Sequence, residues 1–396
     1  MNFFERLLEP LARAQKRYGV IILIVFLAFT LFAAYGIKNI RLEGDMNKQM
    51  PQQLPIYQLN DRIRDKFAGQ DTVFILLSID EDLESKETPK DIRDPNILKY
   101  IVELEDSLLQ ESSVEGVVSL APLMRSLQSA SPTVTEDMVI AALEGAPALA
   151  GLINRDNKLT IMLVTADIGG GQEKTVAFEN LIREKLKAYS SPAGVKIRFT
   201  GTPSIIVTIV TILGSDAIFT LILASIIILI LLSVMQRSVT KGIVIFIPIF
   251  LGLIWTMGTL GWLDIAISFA TAGLGAMILG LGVEYGIFMF TRYKEEKDRG
   301  LNQEEALLIA VPSIGSAVLG SGTTTIVGFL ALTLSIMPML QNLGLSLALG
   351  IFYCIISSLI IGPIIVIFEE DFEEWYNMHR FDKLSKKINK KNGERQ

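Results

Sequence analysis

One carboxylate, Glu284, lies in the stretch ILGLGVEYGIFMF (278–290), where every other residue is apolar, aromatic or glycine. An acidic side chain at the centre of a membrane-spanning helix costs about 2.5–3.5 kcal/mol on insertion scales, so it needs a partner, water or a proton. No lysine or arginine falls in the long uncharged stretches of this chain, so none of them supplies a fixed cation. A carboxyl that is neutral in one conformation and ionised in another can carry a proton. Tyr285 adds a phenol beside it. Further on, GSAVLGSGTTTIVGF offers the hydroxyls of Ser321, Thr323, Thr324 and Thr325, which could hydrogen-bond Glu284 or hold water next to it. Gly280, Gly282 and Gly286 crowd the same stretch, the last two in the G-x-x-x-G spacing that lets a neighbouring backbone approach. The plainer alternative is a protonated Glu284 that only packs. Sodium could use the same oxygens, but a sodium site usually gathers several ligands, and one acid favours the proton.

The elements that must hold this carboxylate are membrane helices. Half of the 396 residues are hydrophobic. Uncharged stretches near the ~20 residues that cross a bilayer run from Gly19 to Ile37, Ala217 to Gln236, Gly242 to Leu263 and Ile265 to Val283. A fifth, Ala306 to Phe368, is divided by the polar break SIMPMLQN, which contains Pro338. The expected organisation is an amphipathic helix over 1–17 and spans at 18–37, 204–236 (with an outward extension), 241–263, 265–292, 312–334 and 339–368. A cytoplasmic loop or helix occupies 293–311, and a tail 369–396. The positive-inside rule puts both termini and the basic loops around Arg237 and Arg292 in the cytoplasm, and the polar segment 38–203 outside. The start is expected to be a retained helix and not a cleaved signal, because its apolar run exceeds the usual signal core and no A-x-A site follows it suitably. Its first turns, with Phe3, Phe4, Leu7, Leu8 and Leu11 at helical spacing, suit a helix lying in the membrane interface or a plain cytoplasmic one.

The segment 38–203 has the size of one domain. TVFILLSI (72–79), VEGVVSLAPL (114–123), KLTIMLVTADI (158–168) and GVKIRFTG (194–201) read as strands. Asp94 followed by PNILKYIVELEDSLLQ, and EKTVAFENLIREKLKAY, read as helices. Strand-helix-strand given twice suggests an α+β fold of the split βαβ kind, with a helical insert near 131–150. The fold class expected is therefore an α-helical membrane protein of six transmembrane helices with one extracytoplasmic α+β domain between the first and second. The acidic run Asp80, Glu81, Asp82 and Glu84 reads as solvated loop. The glycines of DIGGGQE (167–173) could cradle an anion at a helix start, but without a P-loop lysine a flexible turn is favoured.

Other chemistries are excluded by composition. The single cysteine, Cys354, falls in the sixth span, so the outer domain has no disulfide within the chain. The single histidine, His379, lies in the tail, so no histidine metal site or catalytic triad is available within one chain. No enzyme, metal or cofactor is implied. The net charge of −6 identifies no partner, and no nucleic-acid surface is legible.

GLGVEYGIFMFTRYKEE resembles the fourth-helix signature of the resistance-nodulation-division (RND) superfamily, specifically its MmpL-like branch, whose membrane core is similar to the sterol-sensing domain. GSGTTTIVGFLALTLSIMPMLQNLGLSLALGI resembles the fifth and sixth spans of that family, and FTGTPSI the strand leading into the second. The resemblance covers nearly the whole chain and implies one half of such a transporter, with a porter-like outer domain. It implies that Glu284 takes the position of the proton-relay aspartate, one methylene longer, and Tyr285 that of its tyrosine. It also implies a proton-motive-force-driven exporter of hydrophobic or amphipathic, lipid-like substrates in the cytoplasmic membrane. Because full-length members carry two facing halves, a homodimer is expected first and a trimer second. Asp216, near the outer end of the second span, is either an entry-side polar group or, more simply, the interface boundary. Two other readings stay open: a SecD/SecF-like helper of protein export, and a lipid sensor or scaffold that transports nothing.

Overall fold

The computed structural model describes residues 3–66, 71–80, 89–166, 168 and 172–393. Glu81, Asp82, Glu84 and the glycines of 167–173 lie outside the described residues, as does the His379 side chain. The chain forms two compact units, Pro51–Ile212 and Met1–Met50 with Leu213–Gln396. In chain order α1 spans Phe3–Gly36 and α2 Pro55–Lys66, followed by β1 (Asp71–Ile79), α3 (Pro95–Leu109), β2 (Val114–Val118) and α4 (Ala121–Ala130). Then come α5 (Glu136–Glu144), α6 (Pro147–Ala150), β3 (Leu159–Ala166), α7 (Gln172–Ala188) and β4 (Val195–Gly201). The remaining helices are α8 (Thr202–Met235), α9 (Val239–Trp262), α10 (Leu274–Asp298), α11 (Gln303–Ala331) and α12 (Pro338–Gly393).

In the unit Pro51–Ile212, four antiparallel strands take the order β2-β3-β1-β4. The two strand-helix-strand halves thus interleave, with β1 and β3 central, which is the split βαβ arrangement. Alternation fixes which face is buried: β3 buries every second residue, and Val73, Ile75 and Leu77 of β1 are fully buried. They form one core with Leu98, Ile101, Leu104 and Leu108 of α3. That helix begins where Asp94 accepts a hydrogen bond from the Asn96 amide at 2.8 Å, with Pro95 supplying a preset φ. The strand expected over 114–123 stops at Val118. Pro122 cannot donate to a ladder but suits a helix start, and Ser119 Oγ accepts from the Ala121 amide at 2.9 Å to begin α4. Buried Glu105 takes Arg125 Nη1 at 2.7 Å and the Ser119 hydroxyl.

Among the described residues six helices are long and apolar enough to cross a membrane, five of them wholly in the other unit and α8 in it from Leu213 on. α9, α10 and α12 form its interior: the most apolar window of α12 is 61% buried, that of α8 only 6%. Glycine lets these helices touch. A Cβ on Gly258 of α9 would stand 2.7 Å from Ala33 Cα of α1, and one on Gly252 would stand 2.9 Å from Cys354 Cα of α12. Non-helical φ/ψ at Tyr18 (−124°, 21°) kinks α1. The turns before the kink bury Leu8, Ala12 and Gln15, an i, i+4, i+7 stripe, against α11 and α12. The segment 293–311 consists of the end of α10, a turn at Gly300 with φ 89°, and the first turns of α11, capped by Asn302.

Candidate functional site

α10 has two faces. Ile278, Leu279, Gly282, Tyr285, Gly286 and Met289 are buried against the bundle. Met277, Leu281, Glu284 and Phe288 are exposed, and their i, i+4, i+7, i+11 spacing makes them one stripe. The carboxylate is therefore not enclosed by its own chain. It stands on a face that the described residues leave uncovered.

Tyr285, one residue on, points the other way and is 1% exposed. Its side chain interacts with both Glu284 and Thr325 of α11. Its hydroxyl packs over Gly322, where a Cβ would lie 3.7 Å away. Glu284, Tyr285 and Thr325 thus form one contiguous polar set across α10 and α11. The other expected hydroxyls are not drawn in. Thr324 Oγ1 donates to the Ser321 carbonyl at 2.6 Å and Ser321 Oγ to the Val318 carbonyl at 3.4 Å; Thr325 Oγ1 also donates to the Ser321 carbonyl, at 3.1 Å, which leaves its lone pairs for Tyr285. Back-bonding to the preceding turn is the ordinary local solution for these side chains in an apolar helix. Thr323 is exposed.

The three glycines also divide. Gly282 faces Cys354 Sγ and Ile249, and Gly286 faces Ile245 and Ile249, so a Cβ on either would stand 2.7–3.1 Å from its nearest neighbour. Gly280 does not belong to that seam: a Cβ there would meet nothing within 4 Å, because two residues of helix turn it about 200° away from Gly282. On α11, Gly320 and Gly328 likewise face open space, with exposed Thr324 midway between them. The site is therefore a carboxylate on an apolar stripe of α10, with open small-residue positions at Gly280 on α10 and at Gly320 and Gly328 on α11. Asp216 of α8 is exposed and its side chain is not part of this set.

Sequence reasoning missed a second polar position inside the bundle. Ser357 donates its hydroxyl to the Pro248 carbonyl, and Ser358 Oγ is buried with no hydrogen-bond partner among the described residues. The pair SS within an otherwise apolar span was its visible signal.

Six apolar helices among the described residues, packed along glycine seams, define a multi-pass membrane protein. The MMPL family model matches residues 83–383, and the chain belongs to that family. It is 34% identical to the membrane protein MJ1562 of Methanocaldococcus jannaschii over 369 residues, which are 92% of this chain and 94% of that one. It is 27% identical to the siderophore exporter MmpL5 of Mycobacterium tuberculosis over 51% of this chain, and 23% identical to the transport protein MmpL2 of the same species over 90% of it. Those alignments cover only 22% and 34% of the two mycobacterial proteins.

Proposed function

We propose that the chain is a proton-driven RND-type transporter that exports hydrophobic or amphipathic, lipid-like substrates across the cytoplasmic membrane, with its α/β unit outside and both termini inside. Glu284 is the proton-carrying group, and Tyr285 and Thr325 orient it. The observation that carries this reading is an acid on an exposed, otherwise apolar stripe of a membrane helix, next to a buried tyrosine. An uncovered carboxylate in lipid is costly, so a second copy of the chain covers it, and the functional unit is a homodimer. The open small-residue positions Gly280, Gly320 and Gly328 give that second copy room to approach. Protonation then changes the charge at the seam between the copies, and the α10 and α11 faces repack around it.

The test is proton uptake by liposomes containing the purified protein under an imposed pH gradient, wild type against Glu284→Gln. Uptake by the wild type and its loss in a folded variant are expected. Equal uptake by both, with both folded, would replace the transporter with the sensor or scaffold.

A further inference from the structure

A second polar feature lies within the membrane unit, away from the Glu284 stripe. A cavity of about 850 Å³ opens where the kink of α1, the first turn of α11 and the end of the apolar part of α12 meet. Its wall changes character along its length. Val20, Ile21, Ile364 and Phe368 are apolar, whereas Lys16, Arg17, Lys297 and Asp371 are charged. Such a change marks the boundary between hydrocarbon and head groups, and amphipathic molecules sit across it.

Three features of this wall specify a ligand. Arg17 has no carboxylate partner among the described residues; its guanidinium lies 5.3 Å from the Tyr18 ring centroid. The other cations are engaged, Lys16 with Glu304 and Lys297 with Glu370 at 3.3 Å, so Arg17 is the charge left for an anion. The N-terminal turn of the 29-residue α11, through Asn302, Gln303 and Glu304, adds the positive end of a helix dipole, partly offset by Glu304 and Glu305 in the same turn. The third feature is Gln15, which is 1% exposed. Its Nε2 donates to the Leu359 and Ile360 carbonyls at 2.6 and 3.2 Å, and its Oε1 has no hydrogen-bond partner among the described residues. A buried acceptor left without a donor is costly, and Gln15 lines this cavity.

We infer that the cavity binds one phospholipid whose head group carries a phosphate and a hydrogen-bond donor, such as phosphatidylglycerol. The phosphate sits against Arg17 and the start of α11. The head-group hydroxyls supply the donor that Gln15 Oε1 lacks. The acyl chains run along Ile21, Ile364 and Phe368 into the bilayer. Basic pockets at helix ends bind anionic head groups by this logic, and the unpaired amide adds selectivity. The site binds from the leaflet at that end of the bundle and does not depend on proton coupling, so losing Glu284 leaves it intact.

Native mass spectrometry of the delipidated full chain, titrated with phosphatidylglycerol or phosphatidylcholine, tests this. One equivalent of phosphatidylglycerol is expected to bind more tightly than any later one, and more tightly than phosphatidylcholine, whose head group has no donor. Arg17→Glu should weaken that first equivalent about tenfold or more. Lys38→Glu, the same charge reversal at the other end of the α1 span, should not weaken it. Gln15→Leu should narrow the preference for phosphatidylglycerol, leaving the part that its net negative charge supplies through Arg17. The inference is overturned if Arg17→Glu and Lys38→Glu bind alike, if the wild type does not prefer phosphatidylglycerol, or if excess inorganic phosphate displaces the lipid as well as added lipid does. The last outcome would make the cavity a site for a free anion. Arg17 is exposed, so its variant is expected to fold even where Gln15→Leu does not.

Discussion

The two units hold themselves together by different means. In Pro51–Ile212 large apolar side chains close a core: Ile75, Leu77, Leu98, Ile101 and Leu104 are all but fully excluded from solvent. Water drives that closure at roughly 25 cal/mol per Å² of apolar area. In the helical unit the closest approaches fall at glycine, where Gly258 meets Ala33 and Gly252 and Gly282 meet Cys354. Lipid is as apolar as leucine, so helices there gain from close packing and not from leaving the solvent. A unit built by the first rule has little reason to keep an exposed stripe of Met277, Leu281 and Phe288. One built by the second can keep such a stripe and set an acid in it.

Substitutions that trade the two rules test this contrast. Leu104→Ala should cost the α/β unit about 2–5 kcal/mol, read as lost amide protection in β1 and β3 by hydrogen exchange. Gly258→Val should destabilise the helical unit by about 1–3 kcal/mol through forced separation of α1 and α9, read as a lower melting temperature in detergent with β1 and β3 still protected. Arg125→Met leaves Glu105 buried without its cation. A fully buried break costs about 3–5 kcal/mol, and since the Arg125 side chain is 39% exposed, about 2 kcal/mol is expected in urea unfolding.

A smaller effect is expected at Asp91. Burial raises the pKa of its carboxyl, but the hydrogen bonds from Arg93 outweigh that and hold it below the usual aspartate value. The folded pKa is depressed, so the stabilisation is complete above the unfolded pKa of about 3.9 and is lost as pH falls through the folded value. Asp91→Asn should flatten the stability of the α/β unit below about pH 4, by under 1 kcal/mol. Smallest of all is Ile226→Ala on α8. This residue is exposed, and its truncation should change stability in detergent or lipid by less than about 0.5 kcal/mol, read from the melting temperature. A loss as large as that of Leu104→Ala would mean that α8 is covered in the working assembly.

Much of the architecture was legible in local pattern. The Asp94–Pro95 helix start, the alternation in β3 and the six apolar runs each follow from chemistry a few residues wide. The end of β2 was not, because VVSLAPL is apolar enough for a strand and only the Ser119–Ala121 hydrogen bond and Pro122 turn it into a helix start. The helix over the first seventeen residues has an apolar stripe that suits lipid as well as protein; Leu8 over Gly315 and Gln15 on the Leu359 carbonyl give it a protein neighbour. Glycines at 280, 282 and 286 look equivalent in a string of letters, and the angle of the helix separates the last two from the first.

By itself the sequence determined that an acid would lie in an apolar run holding no lysine or arginine, since charge and hydropathy are properties of residues and their order. Which way that acid points depends on the rotation of α10 against α9, α11 and α12, and rotation is set by which glycines can admit a neighbouring backbone. Tertiary structure alone turned Tyr285 inward and Glu284 outward, and brought Gln15, Arg17 and the start of α11, nearly three hundred residues away, to one cavity.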